Sequence, residues 1–132
     1  REIIDAVGFP RNDYFIYWDD HEYALRIRKA GYSIYKVKAS VIHHKDANKN
    51  YYPEKKIGPI RFKMFQMEDW KVYYYYRNHI LTYDWTDLNK YYVVFVEIPK
   101  NFIKSFIYHN GQGRIIVKAW RDGLLNRTGK RI

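Results

Sequence analysis

The chain has no cysteine, few acidic residues and no long apolar run. Its 132 residues include 14 Asp and Glu against 24 Lys and Arg, which gives a formal net charge of +10. The absence of cysteine excludes a disulfide scaffold, a zinc–thiolate site and a thiol nucleophile, and it fits a reducing compartment. The longest apolar run, 91–96, is far shorter than the ~20 residues that span a bilayer.

Aromatic residues, by contrast, are abundant: they make up 20% of the chain, and 15 of them are tyrosines. The length suits one domain, and a hydrophobic content of 47% excludes a disordered chain. A surface this basic favours a polyanionic partner: nucleic acid, anionic lipid or a phosphorylated substrate. Because no RNP, helix-turn-helix or zinc-finger pattern accompanies the charge, nucleic acid is not predicted as a partner.

Hydrophobic periodicity and the positions of Gly and Pro predict the order of elements. The clearest helix begins at Asp19, which has capping-box spacing to Glu22, and ends at Gly31, which suits the left-handed position after a helix. The other predicted elements are a helical turn at 1–7, a buried extended segment at 14–18, a strand at 32–42, a long basic loop at 46–63, and helices at 65–83, at 88–108 with an interruption at Pro99, and from 114 onward.

The window 8–44 contains the motifs that indicate function. It consists of an aromatic run ending in Trp18, the pair Asp19-Asp20 with Glu22-Tyr23 after it, a helix with arginines, the turn Gly31-Tyr32, a strand, and His43-His44. This order resembles the second half of the GT-A catalytic domain of family 2 glycosyltransferases, and it looks most like the galactofuranosyl- and rhamnosyl-transferring branches. Residues 73–78, 122–124 and 129–130 are similar to the helical C-terminal region of the same enzymes.

The resemblance implies a helix-rich α+β fold, in which a C-terminal remnant of a GT-A domain precedes about three helices. Residues 1–45 would form the acceptor side of the catalytic domain, 46–63 the basic loop and 64–132 the helical region. Arg77 and Asn78 are expected to brace the helical region against the catalytic domain.

The acidic pair is the candidate catalytic element. Inverting sugar transfer needs a carboxylate that takes the proton from the acceptor hydroxyl as it attacks the anomeric carbon. Successive helical residues point about 100° apart, so Asp19 and Asp20 cannot share one task. We assign Asp19 to bracing the helix and Asp20 to the acceptor, and the resemblance also gives the base role to the second acid. The alternative is that both acids only begin a helix; Trp18 is either a wall for the acceptor sugar or a core residue.

The resemblance also implies a divalent cation, Mg²⁺ or Mn²⁺, which stabilises the departing diphosphate. In the family a histidine near this position and an upstream Asp-x-Asp motif hold the cation; the spacing favours His44, with His43 as the alternative. No Asp-x-Asp precedes Asp19, and the chain begins at Arg1 without a signal-peptide pattern. We therefore expect a piece of a longer enzyme that lacks the donor-binding half and is inactive alone.

The predicted function is that of the parent: a bacterial-type inverting glycosyltransferase that moves a sugar from a nucleotide-sugar donor to a polysaccharide or lipid-linked glycan of the cell wall or capsule. The basic, aromatic region 64–132 either lies on the anionic inner leaflet of the plasma membrane, as a peripheral cytoplasmic enzyme would, or forms a core and a homo-oligomeric contact. The alternative function is a non-catalytic oligomerisation or membrane-docking module.

Overall fold

The computed structural model describes residues 1–41 and 51–132, and this part of the chain is helix-rich with one small antiparallel sheet. The α-helices are α1 (Glu2–Val7), α2 (Asp19–Lys29), α3 (Asp69–Thr82), α4 (Leu88–Tyr92), α5 (Ile98–Tyr108) and α6 (Gly113–Leu124). The remaining elements are a 3₁₀ turn at Asn12–Tyr14, strands β1 (Lys55–Ile57) and β2 (Ile60–Phe62), and a π-helix at Val93–Glu97. The architecture agrees with the predicted helix-rich α+β class.

The core lies where α3 packs against α6. Tyr73, Tyr74 and Ile80 of α3 are fully buried, and Ile116 and Ala119 of α6 cover them. Burying an aliphatic or aromatic side chain contributes about 1.5–3 kcal/mol, so this helix pair is the main source of stability in the described part of the chain. It forms the base to which the N-terminal segment is attached.

The long helical stretch predicted at 88–108 is present, with its interruption just before Pro99. Proline has no amide hydrogen for the preceding turn, and its ring crowds the carbonyl there. The backbone accordingly widens into the π-helix Val93–Glu97 before α5 begins. Neither this stretch nor any other helix within 1–41 and 51–132 is long and apolar enough to cross a bilayer.

The strand predicted at 32–42 is wrong for the part of it that the structure describes. Residues 32–41 form no regular element, and Tyr35, Val37 and Val41, which the alternation placed on a buried face, are 83%, 64% and 70% exposed. An alternating pattern makes a strand only where another strand supplies hydrogen-bond partners and another layer covers the apolar face. Within the described part of the chain, no strand pairs with 32–41 and no layer covers its apolar side chains.

The loop predicted at 46–63 contains more structure than its composition suggested. Strands β1 and β2 pair antiparallel within it, with Lys55 opposite Phe62 and Ile57 opposite Ile60. The hairpin is tied to α5, because the Lys55 ammonium donates a 2.7 Å hydrogen bond to the Ile107 carbonyl. This part of the basic segment is therefore folded against the helices.

Candidate functional site

The helix that carries the acidic pair begins at Asp19, as predicted, but the predicted capping box is wrong. Trp18 occupies the N-cap position and makes no side-chain cap hydrogen bond. Glu22 turns inward instead: it is 7% exposed and forms a 2.7 Å ion pair with Arg26. At the other end Gly31 has φ +89°, and the Tyr32 amide donates to the Ile27 carbonyl, so the prediction of a left-handed glycine after this helix is confirmed.

The segment before the pair is a strained turn, and the prediction of a buried extended run at 14–18 is wrong. Phe15, Tyr17 and Trp18 have φ values of +69°, +64° and +68°, which bulky residues rarely adopt. Such conformations cost on the order of 1–3 kcal/mol each and persist only where the surrounding structure holds them. Tyr14, within the same segment, is fully buried.

Asn78, on α3, holds this turn directly. Its side-chain amide donates to the carbonyls of Tyr14 (2.8 Å), Ile16 (2.8 Å) and Tyr17 (3.1 Å). Asn78 is itself 0% exposed, so these carbonyls have a donor at a place where burial restricts water. The backbone leading to the acidic pair is therefore fixed by a residue of a distant helix.

Arg77, the neighbour of Asn78, fixes the same turn from another side. Its guanidinium donates to the carbonyls of Tyr14 (3.2 Å) and Gly129 (2.5 Å), and it lies over the Tyr74 ring at 4.8 Å. Arg77 is also 0% exposed. The two residues join the helical region to the N-terminal segment, as predicted, and Arg77 adds a link to the C-terminal tail that the sequence did not reveal.

Trp18 is held by residues of α3. Its indole stacks on the His79 imidazole, with ring centroids 3.6 Å apart and an interplanar angle of 13°, and it also contacts the Tyr75 ring. The stacking covers one face of the indole, so only the remaining surface is available to an acceptor sugar. His79 escaped sequence reasoning, although its position four residues after Tyr75 placed both on one face of α3.

Asp20 itself is exposed at the beginning of α2. Its Oδ1 accepts a 2.7 Å hydrogen bond from the His21 amide, and Asp19 beside it is half-buried. The structure thus places the two acids in different environments, which agrees with separate tasks for them. An exposed carboxylate on a fixed backbone can accept a proton from a bulky hydroxyl-bearing substrate. The base role of Asp20 stays a prediction.

The predicted metal ligand cannot be placed. His44, and His43 as its alternative, lie outside the described residues. Across 1–41 and 51–132, no group of three or more His, Asp or Glu side chains is arranged to hold a metal ion. Ligation by His44 stays a prediction.

Comparisons of the chain with protein-family models, with curated protein sequences and with solved structures gave no match.

Proposed function

We propose that this chain is the C-terminal portion of an inverting, metal-dependent glycosyltransferase that transfers a sugar from a nucleotide-sugar donor to a polysaccharide or lipid-linked glycan. The observation that carries the proposal is the turn that precedes Asp19 and Asp20. Three of its residues have left-handed backbone conformations, and the buried Arg77 and Asn78 hold it in place. Strain of this kind clusters at functional sites, where a side chain must be held in one position.

The proposed mechanism assigns one task to each residue of the site. Asp20 takes the proton from the acceptor hydroxyl as that oxygen attacks the anomeric carbon, and its exposure leaves room for a large glycan. Asp19 lies half-buried in the first turn of the same helix, where a carboxylate stabilises the helix through its dipole. Trp18 offers its uncovered surface to the acceptor sugar.

The proposal includes Mg²⁺ or Mn²⁺, which would offset the charge of the departing diphosphate. Imidazole and carboxylate ligands suit these ions, and His44 or His43 would contribute one ligand beside an Asp-x-Asp pair upstream.

A donor panel tests the proposal. The protein that carries this chain together with the residues upstream of Arg1 is incubated with UDP- and dTDP-sugars and a glycan acceptor, with Mg²⁺ or Mn²⁺ or with EDTA. We expect nucleotide release that depends on both the acceptor and the cation. Failure of every donor to give acceptor-dependent release, with the cation present, would contradict the proposal.

A second candidate function, membrane docking, is favoured by an exposed apolar stripe on the helices from α4 to α5. Its members fall at 88, at the adjacent pairs 91/92 and 95/96, and at 103 and 106, so successive turns contribute at three- or four-residue intervals except across the gap from 96 to 103. Each is between 45% and 83% exposed: Leu88, Tyr91, Tyr92, Phe95, Val96, Ile103 and Phe106. The exposed Lys100 lies along the same helices. Aromatic and aliphatic side chains flanked by cations are typical of helices that lie in the surface of an anionic membrane.

Vesicle co-sedimentation tests the docking function. We expect the protein to bind vesicles that contain anionic lipid. The double variant Phe95→Ser with Phe106→Ser should lose roughly tenfold or more of this affinity, because burying one aromatic side chain contributes about 1.5–3 kcal/mol. The doubly substituted protein Asn12→Ser and Gln66→Ser, at exposed polar positions outside the stripe, is the control. If the double variant and the control bind vesicles equally, the stripe is not the membrane-docking surface. If the protein forms a dimer at high concentration without lipid, the stripe is instead the contact between two copies of the chain.

A further inference from the structure

A cleft of about 550 Å³ opens beside the strained turn, between α3, the π-helix and residues 63–67. Its walls include Tyr17 of the turn, Tyr75 and Tyr76 of α3, Glu97 at the end of the π-helix, and Asn101 of α5. Single π turns inside helices are frequent at functional sites, and here the π-helix ends on Glu97, the one acidic side chain among the described residues that line the cleft.

The polar groups of the cleft have unused hydrogen-bonding capacity. Within 1–41 and 51–132, the hydroxyls of Tyr75 and Tyr76 make no hydrogen bond to another residue, and the Glu97 carboxylate has one basic neighbour, His79, whose Nδ1 lies 3.5 Å from Oε2. Burial raises the pKa of both tyrosines, and the Glu97 charge raises it further, so both hydroxyls are protonated donors at neutral pH. Donors and an acceptor of hydrogen bonds therefore face the same space.

The aromatic rings of the cleft offer apolar surface at right angles. Tyr75 and Tyr76 lie 5.2 Å apart at an interplanar angle of 90°, and Tyr17 meets Tyr75 at 5.9 Å and 76°. Pockets that combine aromatic walls with a few fixed polar groups bind small molecules through apolar contact and orient them by hydrogen bonds.

We propose that this cleft binds a saccharide, with Glu97 accepting hydrogen bonds from sugar hydroxyls, the Tyr75 and Tyr76 hydroxyls donating to ring or hydroxyl oxygens, and the tyrosine rings packing on C–H faces. A saccharide meets every polar group named here, because it carries donors, acceptors and apolar faces together. That the cleft binds the glycan acceptor rests on the proposed function, whereas saccharide binding by the cleft does not.

Aromatic rings beside one carboxylate could also suit an organic cation. The Tyr75 and Tyr76 hydroxyls disfavour that ligand, because a quaternary ammonium offers them no hydrogen-bond partner. The saccharide is therefore the better match.

Saturation-transfer NMR and titration on the full chain, without any nucleotide sugar, test the proposal. The probes are methyl β-D-galactopyranoside, methyl β-D-galactofuranoside, methyl α-L-rhamnoside and choline. We expect at least one glycoside to bind and choline not to bind. Glu97→Gln removes the charge of the carboxylate and Tyr75→Phe removes a hydroxyl, and both keep the shape of the cleft. Each should weaken that glycoside roughly tenfold, because a hydrogen bond made by a half-buried group is weakened or lost.

Glu68→Gln and Tyr35→Phe, at exposed positions outside the cleft, are the matched controls and should leave the affinity unchanged. No binding of any glycoside, binding of choline alone, or equal affinity in Glu97→Gln and Tyr75→Phe would each overturn the proposal. This experiment contains no nucleotide sugar, so it measures saccharide binding without sugar transfer. A failure of sugar transfer in the donor panel would therefore not contradict saccharide binding by the cleft.

Discussion

At the scale of single residues, Asn78 is the side chain on which the candidate site depends most. One amide group serves the carbonyls of Tyr14, Ile16 and Tyr17, and no other side chain in the described part of the chain donates to all three. Leaving buried polar groups without partners costs about 1–3 kcal/mol each. The strained turn and the buried amide therefore depend on each other.

Asn78→Ala should lower the free energy of unfolding by about 2 kcal/mol or more, because carbonyls of the turn lose their donor while its strain remains. Urea denaturation measures the change. Asn12→Ala is the matched control: Asn12 is exposed, and its side chain makes no hydrogen bond to the described residues. An unfolding midpoint for Asn78→Ala equal to that of the control would show that the turn does not need the amide.

The buried pair of Tyr73 and Asp122 is the second residue-scale feature, and it joins α3 to α6. The Tyr73 hydroxyl donates a 2.8 Å hydrogen bond to Asp122, whose side chain is 3% exposed. Burial by itself raises the pKa of the Asp122 carboxyl, but the Tyr73 hydroxyl and the guanidinium groups of Arg121 and Arg127 outweigh it, so the pKa lies below its ordinary value. Burial and the same carboxylate raise the pKa of Tyr73 to about 12.

This pair predicts a loss of stability in acid. Because the pKa of Asp122 is lower in the folded than in the unfolded chain, its contribution is fully present above the unfolded value of 3.8 and disappears as the pH falls through the folded value. Tyr73→Phe should cost about 1.5–3 kcal/mol at neutral pH and less in acid. Unfolding measured across this range checks the prediction, with Tyr92→Phe, an exposed tyrosine, as control. A Tyr73→Phe deficit that does not shrink in acid would contradict it.

At the scale of elements, the approach of α6 to α3 is set by Gly123. A Cβ at this position would lie 2.8 Å from the Ile80 Cδ1 and 2.9 Å from its Cβ, and 3.2 Å from the Arg77 carbonyl oxygen. The Ile80 Cβ and the backbone cannot swing away, so a larger residue pushes the two helices apart. The displaced helix is the one that carries Arg77 and Asn78.

Gly123→Ala should therefore destabilise the protein by about 1–3 kcal/mol, the usual cost of overpacking. The sign is informative, because alanine favours a helix over glycine by ~1 kcal/mol and would stabilise an uncrowded site. Val117→Ala, at a half-exposed position of the same helix, should change stability far less. Thermal or urea unfolding measures the change in stability. A Gly123→Ala variant more stable than the wild type would contradict close packing of α6 against α3 at this position.

The elements also show which features a sequence can specify. Helix α2 and its end at Gly31, the stretch 88–108 with its break before Pro99, and α6 could be predicted because periodicity, glycine and proline act locally. The turn before Asp19 could not be, because its conformation depends on Asn78, more than 60 residues away along the chain. The strand at 32–42 was wrongly predicted for a related reason. Alternation of apolar and polar residues shows which face of a strand would be buried, but it does not show whether another strand lies beside it.

At the scale of the whole molecule, the sequence indicated the acidic pair and the brace formed by Arg77 and Asn78, and the catalytic role of the pair stays a prediction. The acidic pair was evident from the sequence, whereas the contacts of Trp18 with His79 and the cleft at Glu97 arise only when α3 and the π-helix meet the N-terminal segment. The described part also presents two exposed apolar areas, 32–41 and the stripe from α4 to α5. In our proposals, one of these areas, the stripe, meets a partner.

The central claim is that Asp20 is the base of a sugar-transfer reaction. The most direct test is the rate of sugar transfer by the Asp20→Asn variant of the longer protein that the proposal describes. Asparagine keeps the size of the side chain but cannot accept the proton. We predict a fall in kcat of roughly 10²–10⁴-fold with little change in KM for the donor, while Asp5→Asn, an exposed acid of α1, retains full activity. Transfer by Asp20→Asn at the wild-type rate would contradict the claim.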